Sequence, residues 1–240
     1  MLARVSRHIP QRTYTNVANN EMKTRYRSLL RETAQPVVVV TSLLHPTDKS
    51  PDSFHGATLS SFSSIAMDPY PLVAFSLIIP SRMAASLRRA LPETPSDMVV
   101  NILSAAQANT AVMFSRPDLH PHPFQEVEYT LNSEGIPIIG GSLGAVSCKL
   151  TTSPILLDSP VFSGRPVDSN TNGDLEFGKT REENSHKPSS SELFIARVTN
   201  IEELPLDEVD VNDPRTMPLL YHRRSYATCS LENLLLGQKS

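Results

Sequence analysis

Apolar positions along the chain fall into short, β-branched runs rather than long helical stripes. Val37-Val38-Val39-Val40-Thr41 is β-branched throughout and too short for a helix, so it predicts a strand buried on both faces. Leu72 to Ile78, Met98 to Leu103, Pro137 to Ile139, Leu143 to Leu150 and Leu193 to Val198 predict further strands. His45 to Phe54 reads as a Pro/Asp/Ser loop. Gly56 to Ile65 reads as a strand crowded with small and hydroxyl residues, turned by Asp68-Pro69-Tyr70-Pro71 into the next one. Helical spacing occurs in three places. Met22, Tyr26, Leu29 and Leu30 share one face of a short helix from Met22 to Thr33, stopped by Pro36. Ser81 can cap a helix running to about Ala90, and Ser104 with Gln107 fits a capping box opening a helix to about Phe114. The pattern predicts a mainly β fold with a few helices.

Composition narrows this further. The 240 residues fit one compact domain, and 20 prolines against 9 glycines favour stiff turns over long helices. A net charge of −3 speaks against nucleic acid as a partner. The longest apolar stretch, Leu72 to Ile79, falls far short of the roughly 18 residues that span a bilayer, so no membrane span is expected. Cys148 and Cys229 form no Cys-x-x-Cys pair, which leaves neither a disulfide framework nor a cysteine zinc site and fits reduced thiols in an intracellular compartment. From about Asp158 to Ser191 the chain turns polar and is expected to be a flexible insertion between two strands, while Glu202 to Asp213 reads as an acidic surface connector.

The amino terminus reads as an address. Arg4, Arg7 and Arg12, with Ser6, Thr13 and Thr15, precede the first acid, Glu21, in the Arg-rich, acid-poor composition of a mitochondrial transit peptide. The alternative is an unstructured basic tail. Arg12-Thr13-Tyr14 resembles a matrix-cleavage pattern, so residues 1–14 are expected to be the transit peptide and 15–240 the mature domain, located in the matrix. Removing residues 1–14 leaves a charge of −6.

Most catalytic patterns are missing. Gly140-Gly141-Ser142-Leu143-Gly144 lacks the spacing of a dinucleotide turn and reads as a place where two backbones approach closely. His120 and His122 sit between prolines without nearby acids, so no metal site is expected. The stretch from Gly56 to Pro71 is different. Thr58, Ser60, Ser61, Ser63 and Ser64 offer hydroxyls and backbone amides at short range, suited to a flat polar heterocycle and its ribityl chain, or simply to solvent.

Four ordered blocks carry a resemblance: His55 to Val73, Met98 to Gln107, Gly135 to Cys148 and Pro218 to Tyr226. They resemble the motifs G-M-T-A-N-S-F-T-S-V-S-L-D-P-P-L-V, F-A-V-N-V-L-x-x-x-Q, G-x-P-V-L-x-G-A-L-A-W-L-E-C and P-L-L-Y-H-R-G-R-Y of the flavin reductase-like, FMN-binding split-barrel family; with the amino-terminal address, the chain looks like a fungal-type mitochondrial member. The resemblance implies a Greek-key split β-barrel that dimerises and holds FMN, or FAD through its FMN half, for hydride transfer from NADH or NADPH. By matched position, Thr58, Leu59, Ser60, Ser61 and Phe62 would line the isoalloxazine and ribityl, and Ser64 would place a hydroxyl near the flavin. Ser81 and Arg82 would bind the phosphate, and His222 would lie close to flavin and nicotinamide as the catalytic residue. Met83 stands in place of a phosphate-binding threonine. Ser191-Glu192-Leu193-Phe194 stands at G-D-H-T-L-F, so that Glu192 replaces a histidine and would repel a pyrophosphate. Arg224 and Ser225 replace Gly-Arg. The alternative function is a non-catalytic flavin-binding or scaffold protein, favoured by Glu192.

Overall fold

The computed structural model describes residues 11–45, 47–158, 190–202, 210 and 213–229, with the backbone alone for 11–19. The chain opens with α1 (Gln11–Arg31), β1 (Gln35–Pro36) and β2 (Val38–Leu43), then β3 (Phe54–Leu59), β4 (Ser63–Ala66) and β5 (Leu72–Ile79). A short α2 (Arg82–Leu87) leads to β6 (Met98–Ile102), α3 (Ala108–Ser115), β7 (Tyr129–Leu131), β8 (Pro137–Ile139) and β9 (Gly144–Leu150). β10 (Ile155–Leu156), the long β11 (Ser190–Glu202) and the hairpin β12 (Leu220–His222) and β13 (Ser225–Ala227) complete it.

The main sheet runs β3-β2-β6-β9-β11-β5-β4, every neighbour antiparallel, with β10 beside β11. Its two end strands are consecutive in the chain and joined by Ser60-Ser61-Phe62 alone. Three residues reach only about 14 Å, so the sheet must curl until its edges nearly meet, giving a split β-barrel with few helices. Ser61 fixes the crossing: its hydroxyl donates to the Ser76 carbonyl on β5 and accepts the Ser76 N–H, at 3.2 and 3.1 Å. The Gly56–Ile65 strand expected from sequence is therefore two strands on opposite edges.

Three apolar clusters hold the barrel. Inside, Val38, Val40, Leu59, Leu77, Met83, Leu87 and Cys148 surround the rings of Phe75 and Phe194, stacked at 5.5 Å between centroids. Outside, Val37 and Val39 pack with Leu103, Ala111, Phe114 and Leu219, and Leu43 and Phe54 pack with Ile136 and Ile138. Alternate residues of β2 thus enter different cores, as a strand buried on both faces requires.

Two helices differ from expectation. α1 begins at Gln11 rather than Met22, because no proline or glycine interrupts Gln11 to Ala34. α2 stops at Leu87, short of Ala90; the amides of Arg89 and Ala90 bond only three residues back, and Pro92 follows. The Ser104–Gln107 capping box forms but opens a 3₁₀ turn before α3. The expected insertion at about 158–191 lies almost wholly outside the described residues, as does the amino-terminal stretch 1–10 and most of the acidic connector. No helix among the described residues is long and apolar enough to cross a membrane.

Candidate functional site at the split of the barrel

The site is built where the sheet fails to close. β3 has β2 on one side only, so about half of its amides point to the open edge. The hydroxyls of Ser60, half-buried, and Ser64, exposed, have no hydrogen-bond partner among the described residues. Phe62 lies between them, half-buried against the barrel core. This corner combines two uncommitted hydroxyls, free backbone groups and one aromatic edge.

Two of the sequence-predicted lining residues are turned to other work. The Thr58 hydroxyl donates to the Ala111 carbonyl of α3 at 2.7 Å, and the Leu59 side chain is buried in the barrel core. Only their backbones remain for a ligand. Ser61 is spent on β5, as above.

Behind the corner, α2 packs against β2, β3 and β5 and sets Ser81 and Arg82 beside β3. Ser81 accepts the Ala84 N–H at 3.2 Å as the helix cap, using an oxygen lone pair and keeping its own O–H proton to donate. Arg82 is exposed and has no carboxylate partner among the described residues. Sequence reasoning named no role for its neighbour. His55 of β3 is held largely out of water, which together with the Arg82 charge lowers its pKa to about 4, so it is neutral at physiological pH. The signal was present in the sequence as a histidine next to Gly56 on a strand otherwise free of charge. A neutral imidazole beside an unpaired guanidinium leaves a positive corner open to an anion.

Glu192 does not face the opening as a free acid. On β11 it alternates with Phe194 and Ala196 toward the barrel interior, and its Oε1 accepts a hydrogen bond from Arg88 Nη2, just past the end of α2. The expected repulsion of a pyrophosphate is corrected accordingly: the charge is matched within the chain. Met83, in the place of a phosphate-binding threonine, is fully buried in the core and accepts a bond from Ser42 through its sulfur.

His222 stands apart from this group. Its strand pairs with β1 and β13, not with β3 or β4. By the register of β1 and β12, with Leu220 opposite Pro36, His222 falls opposite Ala34, past the Val38–Leu59 pair in the direction in which β3 runs on to Ser60.

Other residues of the four blocks serve the frame. Buried Asn101 donates to the Val39 carbonyl and accepts the Ile139 N–H at 2.8 Å, fastening β8 to the sheet. Ser104 and Gln107 donate to the carbonyls of Gly141 and Gly140 at 2.9 and 2.8 Å, so the glycine turn, with Gly141 at φ 75°, is a clamp between backbone segments. His120 has an acid nearby after all, Glu126 at 3.9 Å, although no three metal-ligating side chains gather among the described residues.

The curled antiparallel sheet with an open edge and few helices defines the class, a split β-barrel, and sequence comparison gives the family. Residues 30–230 match the flavin reductase like domain, and the chain belongs to that family. It is 29% identical over 148 residues to the FMN reductase (NADH) SmoA of Agrobacterium fabrum, covering 62% of this chain and 76% of SmoA. It is 29% identical over 126 residues to HsaB, the reductase subunit of a flavin-dependent monooxygenase of Rhodococcus jostii, covering 52% of this chain and 57% of HsaB. Among solved structures, a nitrilotriacetate monooxygenase component B homolog from Mycobacterium thermoresistibile superposes with a TM-score of 0.60 at 21% identity, over 92% of this chain and 94% of that one.

Proposed function

We propose that the protein is an FMN-dependent reductase that accepts hydride from NADH or NADPH. The observation that carries the reading is the pair of features the fold leaves unspent: the Ser60 and Ser64 hydroxyls on the open edge, and Arg82 beside neutral His55. They fit the two ends of one molecule, a polar ring system and a phosphate. The backbones of Thr58, Leu59 and Ser61 and the ring of Phe62 complete the cradle for the ring, and Ser81 donates its free proton to a phosphate oxygen while Arg82 neutralises charge. FAD is held through its FMN half by the same groups. The bound flavin supplies the hydride chemistry. The chain orients it, shields one side from water with Phe62, and offers His222 as a hydrogen-bonding group toward the nicotinamide at the same end of the barrel.

Exposed apolar side chains at the β4–β5 turn, Ile65, Met67 and Tyr70, support a homodimer across that edge. The basic, acid-free amino terminus supports import into the mitochondrial matrix, with a mature start near Thr15, and with it the fungal-type mitochondrial subtype. Sequencing the amino terminus of protein recovered from mitochondria tests this; an intact Met1 defeats it. The non-catalytic reading rested on Glu192, and with that carboxylate paired to Arg88 no observation favours it.

Purified protein is expected to show flavin absorbance that bleaches anaerobically on addition of NADH or NADPH. A protein that takes up no FMN, or whose flavin neither nucleotide reduces, overturns the proposal.

A further inference from the structure

Four arginines line one groove of the surface. A groove of about 200 Å³ between the carboxyl end of α1 and the β12–β13 hairpin is lined by Arg27, Arg31, Arg223 and Arg224, together with Thr33 and Tyr221. Arg27 and Arg31 are one turn apart and share a helix face. The hairpin is fastened to the helix end: the Arg223 N–H donates to the Arg31 carbonyl at 3.1 Å, and the Arg223 side chain reaches Glu32 through Nε at 2.9 Å and Nη2 at 2.5 Å. Glu32 is the one carboxylate paired there. Arg27, Arg31 and Arg224 have no carboxylate partner among the described residues.

Ordinary structural causes account for only half of this cluster. The helix end favours a cation at Arg31, and the ion pair occupies Arg223. Arg27 lies a turn before the helix end, and Arg224 has neither partner nor dipole. Both turn residues are also left-handed, Arg223 at φ 49° and Arg224 at φ 67°, where a glycine would be unstrained and an arginine is strained. A strained cation, held next to three others in a concave site, is a costly arrangement for a fold and a fitting one for an anion.

We propose that this groove is a subsite for the phosphate groups of a nucleotide, and that it favours the 2′-phosphorylated nicotinamide, NADPH, over NADH. Guanidinium groups meet phosphate oxygens with paired hydrogen bonds. A terminal phosphate monoester carries about −1.5 to −2 at neutral pH, which suits three unpaired guanidinium groups. The exposed Tyr221 ring beside them offers a surface on which a base can stack. The identity of the nucleotide rests on the reductase reading; the anion subsite does not.

The test uses the full flavin-loaded chain and two probes, 2′,5′-ADP and 5′-AMP, titrated calorimetrically at low and moderate salt. Binding of 2′,5′-ADP is expected to exceed that of 5′-AMP, to weaken with salt, and to fall roughly tenfold in each of Arg27→Gln and Arg224→Gly. Arg224→Gly relaxes the turn, so lost affinity there cannot come from unfolding. In rapid mixing, the same variants are expected to raise the half-saturating NADPH concentration about tenfold and that of NADH by less, because only NADPH carries the 2′-phosphate. Equal affinity for the two probes, or 2′,5′-ADP binding indifferent to both substitutions, overturns the subsite. If 2′,5′-ADP binds as expected but neither reduced nucleotide bleaches the flavin, the subsite stands and the reductase reading falls.

Discussion

Glu192 on β11 and Arg88 at the end of α2, 104 residues apart in sequence, form an ion pair that ties the helix to the barrel wall. The carboxylate is buried while the arginine is about a third exposed, and the second carboxylate oxygen, Oε2, is buried without a hydrogen-bond partner. The pair therefore fastens the end of the short helix that begins with Ser81 and Arg82 to β11.

Glu192→Gln is expected to lower stability by about 1–2 kcal/mol, less than for a fully buried pair because water reaches Arg88. Urea unfolding measures it. Glu192→His sets a second potential cation against Arg88 and is expected to destabilise without speeding flavin reduction. A faster reduction in that variant would return residue 192 to the path of the nucleotide pyrophosphate, where the family resemblance had put it.

The sequence carried most of the fold. Unbroken β-branching at Val37 to Thr41 marked a strand with core on both sides, and Ser81 and Ser104 marked helix starts by local capping chemistry. What it missed depends on contacts distant in sequence. The break at Ser60 to Phe62 is set by the Ser61–Ser76 bonds, and the direction of Glu192 by Arg88, 104 positions earlier. The β12–β13 hairpin was hidden because its turn is Arg223-Arg224, without the glycine or asparagine that usually announces left-handed backbone. The candidate site was legible as a run of hydroxyl residues, but not which hydroxyls the fold would consume.

His55 gives the site a pH signature. Its pKa near 4 means that between about pH 6.5 and 4 the unfolded chain takes up a proton that the folded chain refuses. Stability from this group is therefore lost as the pH falls through that window, and His55→Gln is expected to flatten the acid side of the stability profile there. A phosphate dianion bound at Arg82 would offset the guanidinium charge and favour the imidazolium. The His55 pKa measured by NMR is expected to rise on adding FMN; an unchanged value would place the phosphate elsewhere.

Gly56 is required for packing. A Cβ there would stand 2.6 Å from Cδ1 and Cε1 of Phe114, inside the cluster that seats α3 on the sheet. Gly56→Ala is expected to cost about 1–3 kcal/mol by overpacking, and Phe114→Leu in the same chain to recover part of it. Losses that simply add in the double variant would show that the ring is not what the new methyl meets. Thermal unfolding of the two single variants and the double decides.

Thr58 and Ser64 separate framework from binding within a single stretch of sequence. The Thr58 hydroxyl is committed to the Ala111 carbonyl, whereas that of Ser64 is exposed without a partner among the described residues. Thr58→Val keeps the shape but removes the side-chain bond from β3 to α3, so stability is expected to fall by about 1 kcal/mol while FMN affinity changes little. Ser64→Ala removes nothing the fold uses, so its unfolding midpoint is expected to match the parent and its FMN affinity to drop several-fold. Fluorescence quenching of FMN and urea unfolding on both variants make the comparison. The reverse outcome, with Thr58→Val failing to bind at full stability and Ser64→Ala binding normally, would mean that the flavin draws Thr58 away from α3 and lies deeper along β3 than its open corner.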